Sequence, residues 1–393
     1  MPSAPDVTLE PMTVGFAPDA ADDLRERLRR TRPPAPPDDD WSRGVAQSWL
    51  AGVLADWEKF DIAGLEQRFA ELTHLRAEIG DQRVHVLIAE GRAAAGGAPP
   101  VPLLLANGWP SSFCEYLDVL PPLTDPGAHG GDPADAFTVV APALPGFGFS
   151  GPTPAGGYSA AEVGQMWHQL MRALGHSRYA AHGSDLGAGV VAQMARAQPD
   201  SVAGIHLATP GFPLPPQPWN ALEQAYAGEV EAWSAEEGAY AHQHATKPNT
   251  LGAALNDSPA GLAAWIGEKA VAWSSRTADG QPAFPRDLLL ATLTVYWATG
   301  TIASSMLPYW RYRHDPTASL PADDPSPVPA VVSVFGGEIV PFPKPPRDVA
   351  ERFLTVAGWE EYDRGGHFPA AAEPDLFVRA LRDAFRPLRG NAL

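Results

Sequence analysis

A chain of 393 residues, 45% hydrophobic and 19% charged, has the composition of a folded globular protein with ample material for a large core. Its formal net charge of -18 argues against the basic surface that nucleic acid or an anionic membrane would require. Cys114 is the only cysteine, so no disulfide within the chain is possible and a reducing, cytoplasmic setting is expected. The start, MPSAPDVTLEPMTVGF, has no basic stretch followed by an apolar one, and no run approaches the roughly 18 apolar residues of a membrane span. A soluble protein is therefore expected.

In chain order, DAADDLRERLRRTRPP (19–34) reads as a short helix. Leu24 and Leu28 sit at helical spacing, acids come early, arginines come late, and prolines stop it. Residues 41–60 and 63–72 read as further helices, the first with Trp49, Leu50, Val53, Leu54 and Trp57 on an apolar face, giving a mostly helical segment over 1–75. From Arg76 the period changes. RAEIGDQRVHVLIAE alternates like a hairpin turning at Gly80 and Asp81, and VPLLLA (101–106) and FTVVAPAL (137–144) read as strands. A helix over 164–175 leads into the strand SRYAAHG, a second helix follows over 187–198, and SVAGIHLAT (201–209) is the next strand.

Strands alternating with helices predict a mostly parallel sheet covered on both faces, here over 76–212. Residues 213–316 break the rhythm: they are helical and rich in tryptophan and tyrosine, as an inserted lid would be. After the linker-like PADDPSPVP (321–329), the second part of the core (317–393) resumes with a strand at 328–335, a helix around 346–353, a short strand near 359–362 and the last helix PDLFVRALRDAF.

The stretch AHGSDLGAGV (181–190) lies where a strand turns into a helix. A sharp turn of this kind exposes the residue at its tip but needs small neighbours two positions before and after it. Were Ser184 the tip, those neighbours would be His182 and Leu186, both too bulky. With Asp185 at the tip they are Gly183 and Gly187, which fits an aspartate nucleophile in an elbow of the α/β-hydrolase type. The same stretch also fits a glycine-rich turn in which Asp185 merely caps the helix.

In such folds the chain order is nucleophile, acid, histidine. DRGGHFPAAAEPDLF places His367 in a glycine-flanked loop before the last helix, where a base can reach the elbow, and FGGEIV places Glu338 directly after a strand. Asp323 and Asp324 precede that strand and belong to the linker. ANGWPSSF (106–113) follows a strand and offers the Trp109 N–H beside the Leu186 N–H as a pair of oxyanion donors. No H-E-x-x-H or other metal-ligand spacing occurs, and His242 and His244, two apart in the lid, read as surface residues.

With these residues assembled, the chain resembles the epoxide hydrolases of the α/β-hydrolase superfamily, specifically the microsomal-type group with an N-terminal helical meander. The resemblance runs through DDLRERLRRTR, GWPSSF, PALPGFGFSGP, HGSDLG, ATKPNTLGAALNDSPAGLAAWIGEK, YWATGTIASSM, FGGEI and RGGHF, in that order. It implies Asp185 as nucleophile, Glu338 as acid, His367 as base, and two lid tyrosines as proton donors to the substrate oxygen. GAYAHQHATKP points to Tyr240 and LPYWRY to Tyr309, with Tyr312 three residues on as the alternative.

This sequence departs from the family pattern at Asn107, where histidine is usual, at Ser111, where a second glycine is usual, and at Leu186, where tryptophan is common. The implied substrate is a hydrophobic epoxide that is opened to an ester and then released as a vicinal diol, with neither metal nor organic cofactor. A haloalkane dehalogenase shares the carboxylate nucleophile but needs halide-binding N–H donors, commonly including the indole of a tryptophan directly after the nucleophile, which Leu186 cannot provide. A catalytically silent binding module is kept open by Asn107, and dimerisation through the N-terminal segment or the lid is likewise open.

Overall fold

The computed structural model describes residues 7–34, 39–93, 96–315 and 317–388. The opening MPSAPD, over which part of the leader expectation was drawn, and Pro316, the last residue assigned to the lid, lie outside the described residues.

Nine strands form one sheet in the order β1-β2-β3-β5-β4-β6-β7-β8-β9. They are β1 (Val7–Pro11), β2 (Thr73–Ile79), β3 (Gln82–Ala89), β4 (Val101–Ala106), β5 (Phe137–Pro142), β6 (Tyr179–Ser184), β7 (Val202–Ala208), β8 (Ser326–Gly336) and β9 (Leu354–Gly365). From β5 to β9 every neighbouring pair is parallel, while β1, β2 and β3 join antiparallel at one edge. The central strands β4, β6 and β7 are buried almost throughout, as near-continuous apolar runs in a covered parallel sheet must be.

The N-terminal segment contains the expected helices, α1 (Ala20–Arg29), α2 (Gln47–Lys59) and α3 (Ile62–Ala70). It also contributes β1, which the sequence reading did not foresee. VTLEP is short and mostly exposed, and its pairing residues lie on β2, more than sixty positions away. At the opposite edge, β9 extends well beyond the short strand expected near 359–362, because its charged, exposed residues hide an edge strand from hydropathy. The linker is shorter than expected, since β8 begins at Ser326.

Helix α4 (Leu120–Thr124), α5 (Ala160–Ala173) and α6 (Leu186–Ala197) connect the core strands. Between β7 and β8 stand the lid helices, among them α7 (Ala221–Glu237), α8 (Ala239–Thr246), α9 (Pro248–Asp257), α10 (Pro259–Ala272), α11 (Arg286–Thr299), α12 (Ile302–Ser305) and α13 (Leu307–His314). The chain closes with α14 (Arg347–Glu351), α15 (Pro369–Ala372) and α16 (Pro374–Phe385). No single helix among the described residues is long and apolar enough to cross a membrane.

Strand β4 is flanked by β5 on one side and β6 on the other, so successive connections leave it in opposite directions. The loops after β4 and β6 therefore part at their carboxyl ends and leave a crevice, the place where open parallel sheets hold ligands. Asn107–Trp109 and Asp185 meet there.

Candidate active site

Asp185 joins β6 to α6 with φ 50° and ψ -125°, a conformation that L residues rarely adopt. Its neighbours make the turn possible by being glycines. A Cβ on Gly183 would lie 2.4 Å from the Gly187 carbonyl oxygen, and one on Gly187 would lie 2.2 Å from that of Ala106. Gly108 fills the same need across the crevice, where a Cβ would fall 2.1 Å from Asp185 Oδ1. The aspartate makes no side-chain cap to α6, which removes the reading of Asp185 as a plain helix cap.

The carboxylate instead accepts a hydrogen bond from the Trp109 N–H on Oδ1 at 2.9 Å and holds Oδ2 3.3 Å from His367 Nε2. The latter is a close contact without hydrogen-bond alignment, since Nε2 has no hydrogen-bond partner. Leu186 opens α6 and lines the adjacent cavity.

His367 is buried, its ring stacked on Phe342 at 5.1 Å and tilted against Trp273 at 4.9 Å. The segment after α10 anchors this side of the site. Trp273 O accepts from His367 N–H, Ser274 O from Ile339 N–H and Ala272 O from Val340 N–H, all within 2.9 Å. One strip of lid backbone thus fixes the loops of both His367 and Glu338.

Glu338 is buried in its loop after β8. Its Oε2 lies 3.4 Å from Lys344 Nζ, while Oε1 is buried with no hydrogen-bond partner, and the carboxylate is not hydrogen-bonded to His367. Asp323 and Asp324 sit at the surface paired with Arg352 and Arg196, far from any catalytic geometry.

From the lid, Tyr240 on α8 stacks on Trp109 with centroids 5.4 Å apart, and Tyr309 on α13 meets Tyr240 edge to face at 5.9 Å. Burial raises the pKa of both phenols, with the Asp185 charge adding to the effect, so both keep their protons at neutral pH. The Tyr309 hydroxyl is buried without a hydrogen-bond partner. Tyr312 is 54% exposed and its hydroxyl accepts from Ser319 Oγ, which leaves Tyr309 as the inward tyrosine.

His244 corrects the surface assignment made from sequence. It is fully buried, four residues after Tyr240 on the same face of α8, and packs on Trp109 at 4.7 Å and Tyr309 at 5.0 Å. The Trp265 indole donates to its Nε2 at 3.1 Å, so Nδ1 carries the proton, and burial depresses the pKa to about 3. It is a neutral packing partner of the tyrosines. The i, i+4 spacing from Tyr240 was the available signal.

A cavity of about 690 Å³ opens between lid and core, with Asp185, Leu186 and Tyr309 at its floor and Phe212, Trp233 and Leu307 among its apolar walls. Strained carboxylate, adjacent imidazole, backbone donor and apolar cavity at the end of a parallel sheet define an α/β-hydrolase.

The comparisons with known proteins narrow this class. Residues 9–116 match the family model described as epoxide hydrolase N terminus, and residues 101–253 match the alpha/beta hydrolase fold. A putative epoxide hydrolase from Stigmatella aurantiaca is 37% identical over 388 residues, spanning 98% of this chain and 86% of that protein. Epoxide hydrolase 1 from Oryctolagus cuniculus is 29% identical over 96% of this chain and 88% of its own. The juvenile hormone epoxide hydrolase structure from Bombyx mori superposes with a TM-score of 0.82 at 27% identity, covering 98% of this chain and 96% of that one. The Aspergillus niger epoxide hydrolase structure gives 0.81 at 26%, covering 99% and 98%. The chain belongs to the epoxide hydrolase family.

Proposed function

We propose that this epoxide hydrolase acts through a covalent ester on Asp185. The observation that carries the reading is the elbow itself: a strained aspartate with one oxygen on the Trp109 N–H, the other beside His367, and two protonated tyrosines packed together over Trp109. A carboxylate is already ionised near neutral pH, its reference pKa being about 4, so Asp185 attacks a ring carbon without a base. As the C–O bond breaks, electrons pass to the epoxide oxygen, and Tyr309 with Tyr240 donates hydrogen bonds and then a proton to it. The raised tyrosine pKa values suit this role, because the proton is released only to a strongly basic alkoxide.

The ester is then hydrolysed. His367 takes a proton from water, the resulting hydroxide equivalent adds to the Asp185 carbonyl, and the N–H groups of Trp109 and Leu186 hold the tetrahedral oxyanion. Collapse expels the diol oxygen, which takes the proton from His367; the Asp185 carboxyl left behind gives up its own proton, which replaces the one the lid tyrosine donated, and the carboxylate is restored. Glu338, whose buried Oε1 has no hydrogen-bond partner, supports the imidazolium through its charge. The apolar cavity favours a hydrophobic epoxide.

A single turnover in ¹⁸O-labelled water tests the scheme. The new diol oxygen should come from Asp185, so the label appears in the peptide bearing Asp185 and is absent from the first-formed diol. Label in the diol of the first turnover would mean direct attack by water and would refute the ester. Halide release from haloalkanes, without diol from any epoxide, would favour the dehalogenase reading.

A further inference from the structure

The scheme above leaves one buried carboxyl next to the site unused. Glu115 lies in the turn after the Trp109 loop, 4% exposed, and accepts a hydrogen bond from Ser111 Oγ. Ser111 is held in turn by the lid, since the Tyr296 hydroxyl of α11 donates to its carbonyl at 3.1 Å. Among the described residues no lysine or arginine pairs with Glu115. The charges it faces are those of His367, from the loop before α15, and Asp185, at the elbow. Tyr116 and Cys114 adjoin it on its own turn, and both stay protonated because burial raises their pKa values.

A carboxyl in such a place is costly to keep unless it serves its surroundings. Its partner Ser111 is one of the positions where this sequence departs from its family resemblance.

We propose that Glu115 is a positioning residue for the water-activation half of the reaction: with Ser111 it pins the loop that carries the Trp109 N–H, and its charge acts on His367. The inference rests on His367 being the base. Burial pushes the Glu115 carboxyl up to about 7, while the Ser111 hydrogen bond and His367 pull it down and Asp185 pushes it up, so it changes charge near neutral pH. Once ionised, it presents a negative charge to the imidazole and favours the imidazolium formed when His367 takes the water proton.

Glu115→Gln keeps the shape and removes the charge. With styrene oxide as probe, single-turnover tryptophan fluorescence between pH 5.5 and 9 resolves ester formation from ester decay. The acidic limb of ester decay should move to lower pH by about 0.5 unit, roughly a threefold relative gain at the acid end, with formation altered less. Ser111→Ala, which removes the donor that favours the ionised carboxyl, should shift the limb the same way by less, and it serves if Glu115→Gln fails to fold. An unshifted limb in a folded variant, with formation and decay slowed alike, would overturn the proposal and leave Glu115 a structural filler. Absence of any ester in the wild type would overturn the covalent reading itself, and this inference with it.

Discussion

Acid stability offers a quantitative test of the packing. His85 on β3 is fully buried against Phe113 at 5.0 Å and Phe149 at 5.6 Å. His74 Nε2 faces the Phe69 carbonyl and must carry a proton, so His74 Nδ1 accepts from His85 Nε2 at 2.8 Å. This leaves His85 Nδ1 bare and unpartnered in the core, and burial depresses its pKa to about 3. A folded-state pKa below the unfolded one gives stability that is complete above the unfolded value near 6.5 and drains away as pH falls towards the folded value. Between pH 7.5 and pH 5, the unfolded chain takes up a proton at this site that the folded chain refuses, costing about 2 kcal/mol. His206, bonded to His182 beneath the elbow and likewise held near 3, adds a similar loss, so together they remove about 4 kcal/mol from a total that is typically about 5–15 kcal/mol.

His85→Phe isolates one term. At pH 7.5 it should be less stable than wild type by about 1–2 kcal/mol, because His74 Nδ1 loses its donor. At pH 5 that deficit should vanish or reverse, as the variant escapes the protonation penalty. Urea unfolding at the two pH values, with unchanged slope, measures the difference. A deficit of the same size at both pH values would refute the reasoning.

Further outcomes follow from the site. Gly187→Ala should destabilise the protein by about 3 kcal/mol through its clash with strand backbone, whereas Gly189→Ala, with its nearest atom 4.0 Å away, should gain up to about 1 kcal/mol; thermal melts compare them. Tyr309→Phe should slow ester formation by about 10²-fold, and Tyr312→Phe by less than about threefold, read by single-turnover kinetics. Glu338→Gln should slow ester decay more than ester formation, so that ester accumulates in the steady state.

The elbow was legible because its steric rule is local: two glycines around Asp185 suffice, and the backbone contacts at both confirm why. The central strands were legible as apolar runs. What escaped depends on distant partners. Strand β1 is polar and is completed only by β2, and β9 carries the charges of an exposed edge. Tyr309 and Tyr312 are three apart on a helix, nearly on one face, so periodicity does not separate them; the packing of α13 on α8 does. His244 belongs to a polar-looking stretch whose burial is imposed by the lid, and Glu115 is a lone charge in the apolar run FCEYL, where residue type alone gives no sign of a buried carboxyl. Glu338 was placed by its position after β8, but its pairing with Lys344 has no sequence signature.

The central claim is a covalent intermediate on Asp185, and trapping it is the most direct test. His367→Gln removes the proposed base and leaves Asp185 and the lid tyrosines in place. Mixed with styrene oxide, it should gain the mass of one epoxide, and fragmentation should place the adduct on Asp185. No adduct with any of a broad panel of epoxides, together with no diol from the wild type, would contradict the account.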